Sequence, residues 1–175
     1  MSESKLTLPY HFTFYFRITD KRILSEHNLL SIDYKDSIKT IAKFNTVEEF
    51  WKVFQRIKKP EQYKIGLDLF LFKDNIKPMW EDDCNKNGGR ISLKLKKEYT
   101  CLIWEEIVID FIGNLFTESV CSKINGIILS MRRDYNFIQI WFKDYSVEFG
   151  KEVEKEFRKV LNIPDEVEVD VKAFK

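Results

Sequence analysis

The sequence predicts an α+β fold, an antiparallel sheet with three helices on one face and an open second face. Apolar and polar residues alternate with period two in several separate stretches between Tyr10 and Val171, the spacing of half-buried strands. Three other stretches carry apolar residues at helical spacing, and these helices follow groups of strands instead of alternating with each one, which favours antiparallel pairing. Aromatic residues make up 15% of the 175 residues, with fifteen Phe, a bias toward strands. The length suits one compact domain with a real core, and no repeat or low-complexity linker divides it.

Each element has its own signal. Residues 1–7 read as a polar tail and 8–175 as a single domain. Tyr10, Phe12, Phe14 and Phe16 alternate with His11, Thr13, Tyr15 and Arg17 as the first strand. An irregular polar stretch, about Thr19 to Asp36, contains Tyr34, and Ile38–Phe44 resumes as a strand. Thr46 with Glu49 three residues on is a capping box for a helix to Ile57, whose Phe50, Phe54 and Ile57 face a sheet while Val47 and Trp51 lie to the side. Ile65–Phe72 is a strand, and Ile91, Leu93 and Leu95 alternate in another. The second helix, about Tyr99 to Leu115, has a core face of Trp104, Ile107, Val108, Phe111 and Leu115 and a separate line of Leu102, Glu106 and Ile109. Gly126–Arg132 and Phe137–Phe142 flank Arg133-Asp134-Tyr135-Asn136 as a hairpin. In it Ser130 shares a face with Arg132, and Gln139 with Trp141, on the side turned away from the helices. Lys151–Leu161 is an amphipathic helix, and Val167, Val169 and Val171 alternate in the last strand.

Composition excludes some functions. Lys and Arg nearly cancel Asp and Glu, leaving net +1, so nucleic acid is not held by bulk charge. Three cysteines without close pairing, Cys84, Cys101 and Cys121, fit reduced thiols and a cytoplasmic setting. No apolar run approaches spanning length, so no membrane partner is expected. A nucleotide-processing enzyme would need a metal or nucleophile constellation. His11 and His27 have no metal-ligand spacing, and the acidic run Glu81-Asp82-Asp83, although able in principle to hold Mg²⁺, is the kind that is usually solvated.

The stretch from Phe70 to Arg90, FLFKDNIKPMWEDDCNKNGGR, stands apart. It leaves a strand, meets Pro78 and closes with Asn87-Gly88-Gly89, a run that frees the backbone to turn. Between these stops sit Trp80 and Glu81, a flat ring next to a carboxylate. An indole offers a face to a base, and a carboxylate can accept from both N1–H and the exocyclic amine of guanine. Taken alone, a solvated acidic loop with one packed Trp is the ordinary reading of these residues.

The words KDNIKPMWEDDCNKNGGR resemble the signature loop of the translation initiation factor 4E family, which binds the 7-methylguanosine cap of messenger RNA. The resemblance runs over roughly Leu8 to Val169. It implies a strongly curved antiparallel sheet with helices on the convex face and the cap on the concave face. Trp80 would form one side of an aromatic sandwich and Glu81 would pair with the guanine edge. Tyr34 falls at the second sandwich position, Trp in most members and Tyr in the 4E homologous repressors. Trp141 would touch the N7-methyl group, Met79 would line the pocket, and Arg132 and Arg90 would meet the phosphates. The family's other phosphate Lys falls on Phe137, and its neighbour in the turn on Asp134. Pro9, Val47, Trp51, Glu106 and Ile109 match positions that receive a helix from a factor 4G-like scaffold or a 4E-binding repressor, whose motif has a Tyr, a Leu five residues later and another hydrophobe. Glu105 stands where the family usually has an apolar residue. The resemblance implies a monomeric binding protein without a cofactor, an initiation factor or, alternatively, a cap-binding repressor.

Overall fold

The computed structural model describes residues 5–64 and 66–174. Seven strands form one sheet in the order β2-β1-β3-β5-β6-β4-β7, with every neighbouring pair antiparallel. The strands are β1 (Thr7–Ile18), β2 (Lys39–Thr46), β3 (Leu67–Lys73), β4 (Gly89–Leu95), β5 (Ile124–Met131), β6 (Asn136–Phe142) and β7 (Val169–Ala173). The helices are α1 (Lys21–Glu26), α2 (Tyr34–Ser37), α3 (Val47–Phe54), α4 (Lys97–Ile112), α5 (Glu118–Cys121) and α6 (Val147–Val160). The expected three-helix layer is α3, α4 and α6, joined by three short helices.

Alternation sorts the side chains. Phe12, Phe14, Leu69, Leu71, Ile91, Leu93, Ile127, Leu129, Ile138 and Ile140 point to the helix side and pack with Phe50, Trp104, Phe111, Val153 and Phe157 in one core. Each such buried side chain contributes about 1.5–3 kcal/mol relative to exposure. The opposite face is largely open but carries a second cluster of Phe70, Phe72, Ile128 and Trp141. Both faces of β3 are therefore covered, and all seven of its residues are buried.

Local signals hold where side chains cap helices. Thr46 accepts from the Glu49 N–H at 3.2 Å, and the Glu49 carboxylate reaches back to the Asn45 N–H at 3.3 Å. Ser146 caps α6 by accepting from the Phe149 N–H, so this helix begins four residues before the expected Lys151.

Other expectations are corrected. The stretch from Thr19 to Asp36 is not wholly irregular, because Asp20 accepts from the Arg22 N–H and starts α1. The capped helix ends at Phe54, short of Ile57, although Ile57 still packs on the core. Helix α4 spans 97–112; Gly113 and the left-handed Asn114 end it, leaving Leu115 63% exposed while Phe116 takes the core position. Of the expected polar tail, residues 1–4 lie outside the described residues; Leu6 is tied to α3 through the Val47 N–H, and Thr7 already belongs to β1. Ile65, expected to open the third strand, also lies outside them.

One buried cation stands out. Lys73, 8% exposed, donates to the Cys121 carbonyl at 2.6 Å with its ammonium 3.8 Å from the Tyr10 ring centre. Burial, with some help from Lys143, pulls its pKa from 10.5 down to about 8, Cys121 opposing. Below pH 8 the amine is charged in folded and unfolded chains alike, and the burial penalty is present in full. Between about 8 and 10.5 the unfolded chain binds more protons, so stability from this group rises with pH. Urea midpoints at pH 7.5 and 10 should show wild type gaining on the order of 2–3 kcal/mol relative to Lys73→Met; parallel curves would mean that Lys73 titrates normally.

Candidate functional site on the open face

The site follows from how β3 connects to β4. These strands are separated in the sheet by β5 and β6, so the 74–88 loop must cross three strand spacings, about 14 Å. It arches over the start of β5 and the end of β6, which brings Trp80 toward Trp141.

Its first end is tied to β1. The Asp74 N–H donates to the His11 carbonyl at 2.8 Å, and the Asp74 carboxylate accepts from Lys43 Nζ and Thr13 Oγ1, both at 2.9 Å. The Lys43 ammonium holds that carboxyl below its ordinary pKa. Asn75 takes the left-handed turn, φ 69°.

The middle is held by buried amides. Asn85, fully buried, donates through Nδ2 to the carbonyls of Lys77 at 2.9 Å and Met79 at 2.7 Å. Asn125 of β5, also buried, donates to Asn85 Oδ1 at 2.9 Å and to the Cys84 carbonyl at 2.7 Å. Asp82 accepts from the N–H groups of Lys77 and Cys84, so it is part of the loop's own turn. The glycines at the far end differ from expectation. No glycine among the described residues has positive φ, and Gly88 is required by close approach, since a Cβ there would strike the Phe142 carbonyl.

This scaffold leaves Trp80 50% exposed and Glu81 exposed, with no hydrogen bond or ion pair recorded for its carboxylate among the described residues. Pro78 is buried and Met79 partly so. Tyr34 meets the same loop, its hydroxyl donating to the Pro78 carbonyl at 3.1 Å. One face of its ring is taken by the Arg17 guanidinium, 4.4 Å from the centroid. Although Tyr34 is 37% exposed, its hydroxyl end is the sheltered part, and burial pushes the phenol up to about 12, with Asp68 and Glu81 adding and Arg17 opposing.

Trp80 borders an open recess of about 390 Å³ with Arg90, Gln139, Trp141, Ala173 and Phe174. Trp141 forms its floor, only 7% exposed. It packs at 4.5 Å against Phe174 and edge-on at 5.7 Å against Phe72, and its Nε1–H donates to Gln139 Oε1. Phe72 fits because Gly126 beside it has no Cβ. Phe174 was not foreseen. Its N–H donates to the Gly88 carbonyl, which lays the ring on Trp141, and a lone Phe after the last strand gives no signal of that register.

The expected phosphate cations are both partnered. Arg132 Nη1 lies 2.7 Å from Asp68 Oδ1, a buried carboxylate on the sheet floor that also faces Arg17 at 3.7 Å. Arg90 lies 4.0 Å from Asp170. Both residues that the resemblance assigns to the phosphates thus already face a carboxylate. Asp68 is the missed residue, and a single Asp within LDLFLF was its only trace.

The second surface lies on the helix side. Trp51 is 47% exposed and Ile109 and Leu102 are exposed, so the side lines of α3 and α4 do stand outside the core, as expected. Pro9 is exposed, and Val47 and Glu106 are partly so. Glu105 lies 3.4 Å from Lys59. Among the described residues no helix is long and apolar enough to cross a membrane, and no group of three His, Cys, Asp or Glu could hold a metal.

A sheet layered by helices on one face, with an aromatic recess on the other, defines an open-faced α+β scaffold. The profile described as Eukaryotic initiation factor 4E matches residues 7–175. The chain is 35% identical over 118 residues to Eukaryotic translation initiation factor NCBP of Triticum aestivum, covering 66% of this chain and 49% of that protein. It is 40% identical over 117 residues to Eukaryotic translation initiation factor 4E1 of Drosophila melanogaster, covering 65% and 44%. It thus matches about half the length of these curated relatives. Crystal structures of Ascaris suum eIF4E-3 in complex with an m2,2,7G cap and with an m7G cap superpose with TM-scores of 0.86 and 0.85 at 26% identity, over 98% of this chain and 93% of theirs. The chain belongs to the eukaryotic initiation factor 4E family.

The Asn85–Asn125 pair can be tested on its own. Asn125→Ala leaves the buried Asn85 Oδ1 without its donor and removes the bond to the Cys84 carbonyl, costing about 1–3 kcal/mol. Amide exchange in the 74–88 loop should quicken at least tenfold, with β1 and β3 little changed; unchanged loop protection would show that the loop is held by other contacts.

Proposed function

We propose that this chain binds the 7-methylguanosine cap of messenger RNA and acts in translation initiation in the cytoplasm. The carrying observation is a half-exposed Trp80 beside a Glu81 whose carboxylate has no partner among the described residues, held over an aromatic-floored recess by buried amides. Methylation at N7 makes the purine cationic, so stacking between Tyr34 and Trp80 gains cation–π attraction. The Arg17 contact leaves Tyr34 one face for a ligand, which suits one side of a sandwich. Glu81 accepts from the guanine N1–H and amine in charge-assisted bonds. Trp141 lines the floor toward the methyl group, with Met79 behind Trp80. Arg132 and Arg90 serve the phosphates, but their carboxylate partners predict a weak phosphate grip.

The test is retention on a 7-methylguanosine resin. Trp80→Ala and Glu81→Ala should each lose at least ten- to a hundredfold in affinity, since each removes a contact worth about 1–3 kcal/mol. Circular dichroism should be unchanged. Normal retention by either folded variant would overturn the reading.

The line of exposed Trp51 and Ile109 with partly exposed Val47 and Glu106, together with Pro9, is the surface for a helical segment of a factor 4G-like scaffold or a 4E-binding repressor. Trp51 with the exposed Ile109 and Leu102 presents apolar surface outside the core, and Trp is among the residues that anchor such interfaces. Trp51→Ala should weaken a factor 4G-type helical peptide by more than about 1 kcal/mol without altering cap affinity; equal peptide affinity would return these residues to the periphery of the core.

A further inference from the structure

Past the recess the open face continues into a trough of about 590 Å³ that shares Arg90 and Gln139 with it. Its centre is Phe137, a partly exposed ring flanked across the sheet by Ser130 and Lys94. Trp141, Gln139 and Phe137 occupy successive open-face positions of β6, which puts Phe137 about 13 Å along the strand from Trp141. Two aromatic platforms therefore lie along one continuous groove.

The trough is poorly made for phosphate. Each of its three cations already has a partner: Arg132 has Asp68 at 2.7 Å, Arg90 has Asp170 at 4.0 Å, and Lys94 Nζ lies 3.9 Å over the Tyr135 ring. Glu168 lines the same trough and would repel an anion, whereas Asp170 is itself paired with Arg90 and, at 2.9 Å, with Lys172. An apolar ring, hydroxyls at Ser92 and Ser130 and the Glu168 carboxylate suit a flat heterocycle whose edge carries an amino group.

We infer that Phe137 is a stacking platform for the base of the first nucleotide after the cap, with Glu168 accepting from its amino edge. The assignment rests on the cap reading, because the trough is continuous with the recess. The second nucleoside then supplies binding that the partnered cations withhold from the phosphates.

The experiment is calorimetric titration of the whole chain with GTP, m7GTP and the dinucleotide m7GpppA. Wild type should bind m7GpppA about five- to tenfold tighter than m7GTP, the lower end of what one base–aromatic stack contributes. Phe137→Ser should reduce that ratio to near one, and Phe137→Trp should keep or raise it, which separates stacking from a packing defect. A wild-type ratio near one, or a ratio that survives Phe137→Ser, would overturn the inference. If m7GTP binds no better than GTP, the cap reading itself fails and the inference falls with it.

Discussion

The open face is organised by two buried side-chain amides. Asn85 donates to two carbonyls of its own loop, and Asn125 reaches up from β5 to satisfy the oxygen that Asn85 has left. A 15-residue connection crossing three strand spacings would otherwise carry unpaired backbone groups over the end of the sheet. Here those groups are paired inward, with the consequence that Trp80 and Glu81 point outward. The exposure of this Trp is the result of a fully satisfied network beneath it.

The same economy governs the charges. Asp68 sits on the sheet floor between Arg17 and Arg132, and Arg17 continues as the cation over the Tyr34 ring. Tyr34 in turn hydrogen-bonds the Trp80 loop at Pro78. Two segments far apart in the chain, the α1–β2 connection and the β3–β4 loop, are thereby linked through one buried carboxylate and one phenol. A carboxylate buried at 4% exposure needs such partners, since an isolated charge there would be very costly. The geometry that steadies Tyr34 and the Trp80 loop also occupies Arg132.

On the helix side, α3 packs beside β2 while α4 crosses β1, β5 and β6. Phe50 and Val108 reach the core while Trp51 and Ile109, one step around each helix, do not. The two surfaces are separated by the thickness of the sheet, so a ligand on one face and a helix on the other need not compete.

By itself the sequence determined the strands, through alternation such as Phe12/Phe14 against Thr13/Tyr15, and the helix starts, through Thr46 and its capping partner. It also marked the 70–90 stretch, where Pro78, Trp80, Glu81 and Gly88-Gly89 follow too closely for a strand. These signals are local, carried by side-chain period and by groups a few residues apart. What only the tertiary structure decided depends on residues brought together from distant segments: the Asn85–Asn125 pair 40 positions apart, the Asp68 ties to Arg17 and Arg132, and Phe174 laid on Trp141 by the pairing of β7 with β4. Neither a period nor a cap records a contact across a sheet. For the same reason Leu115 was misplaced, because helical spacing continues past Gly113 whereas the backbone turns there.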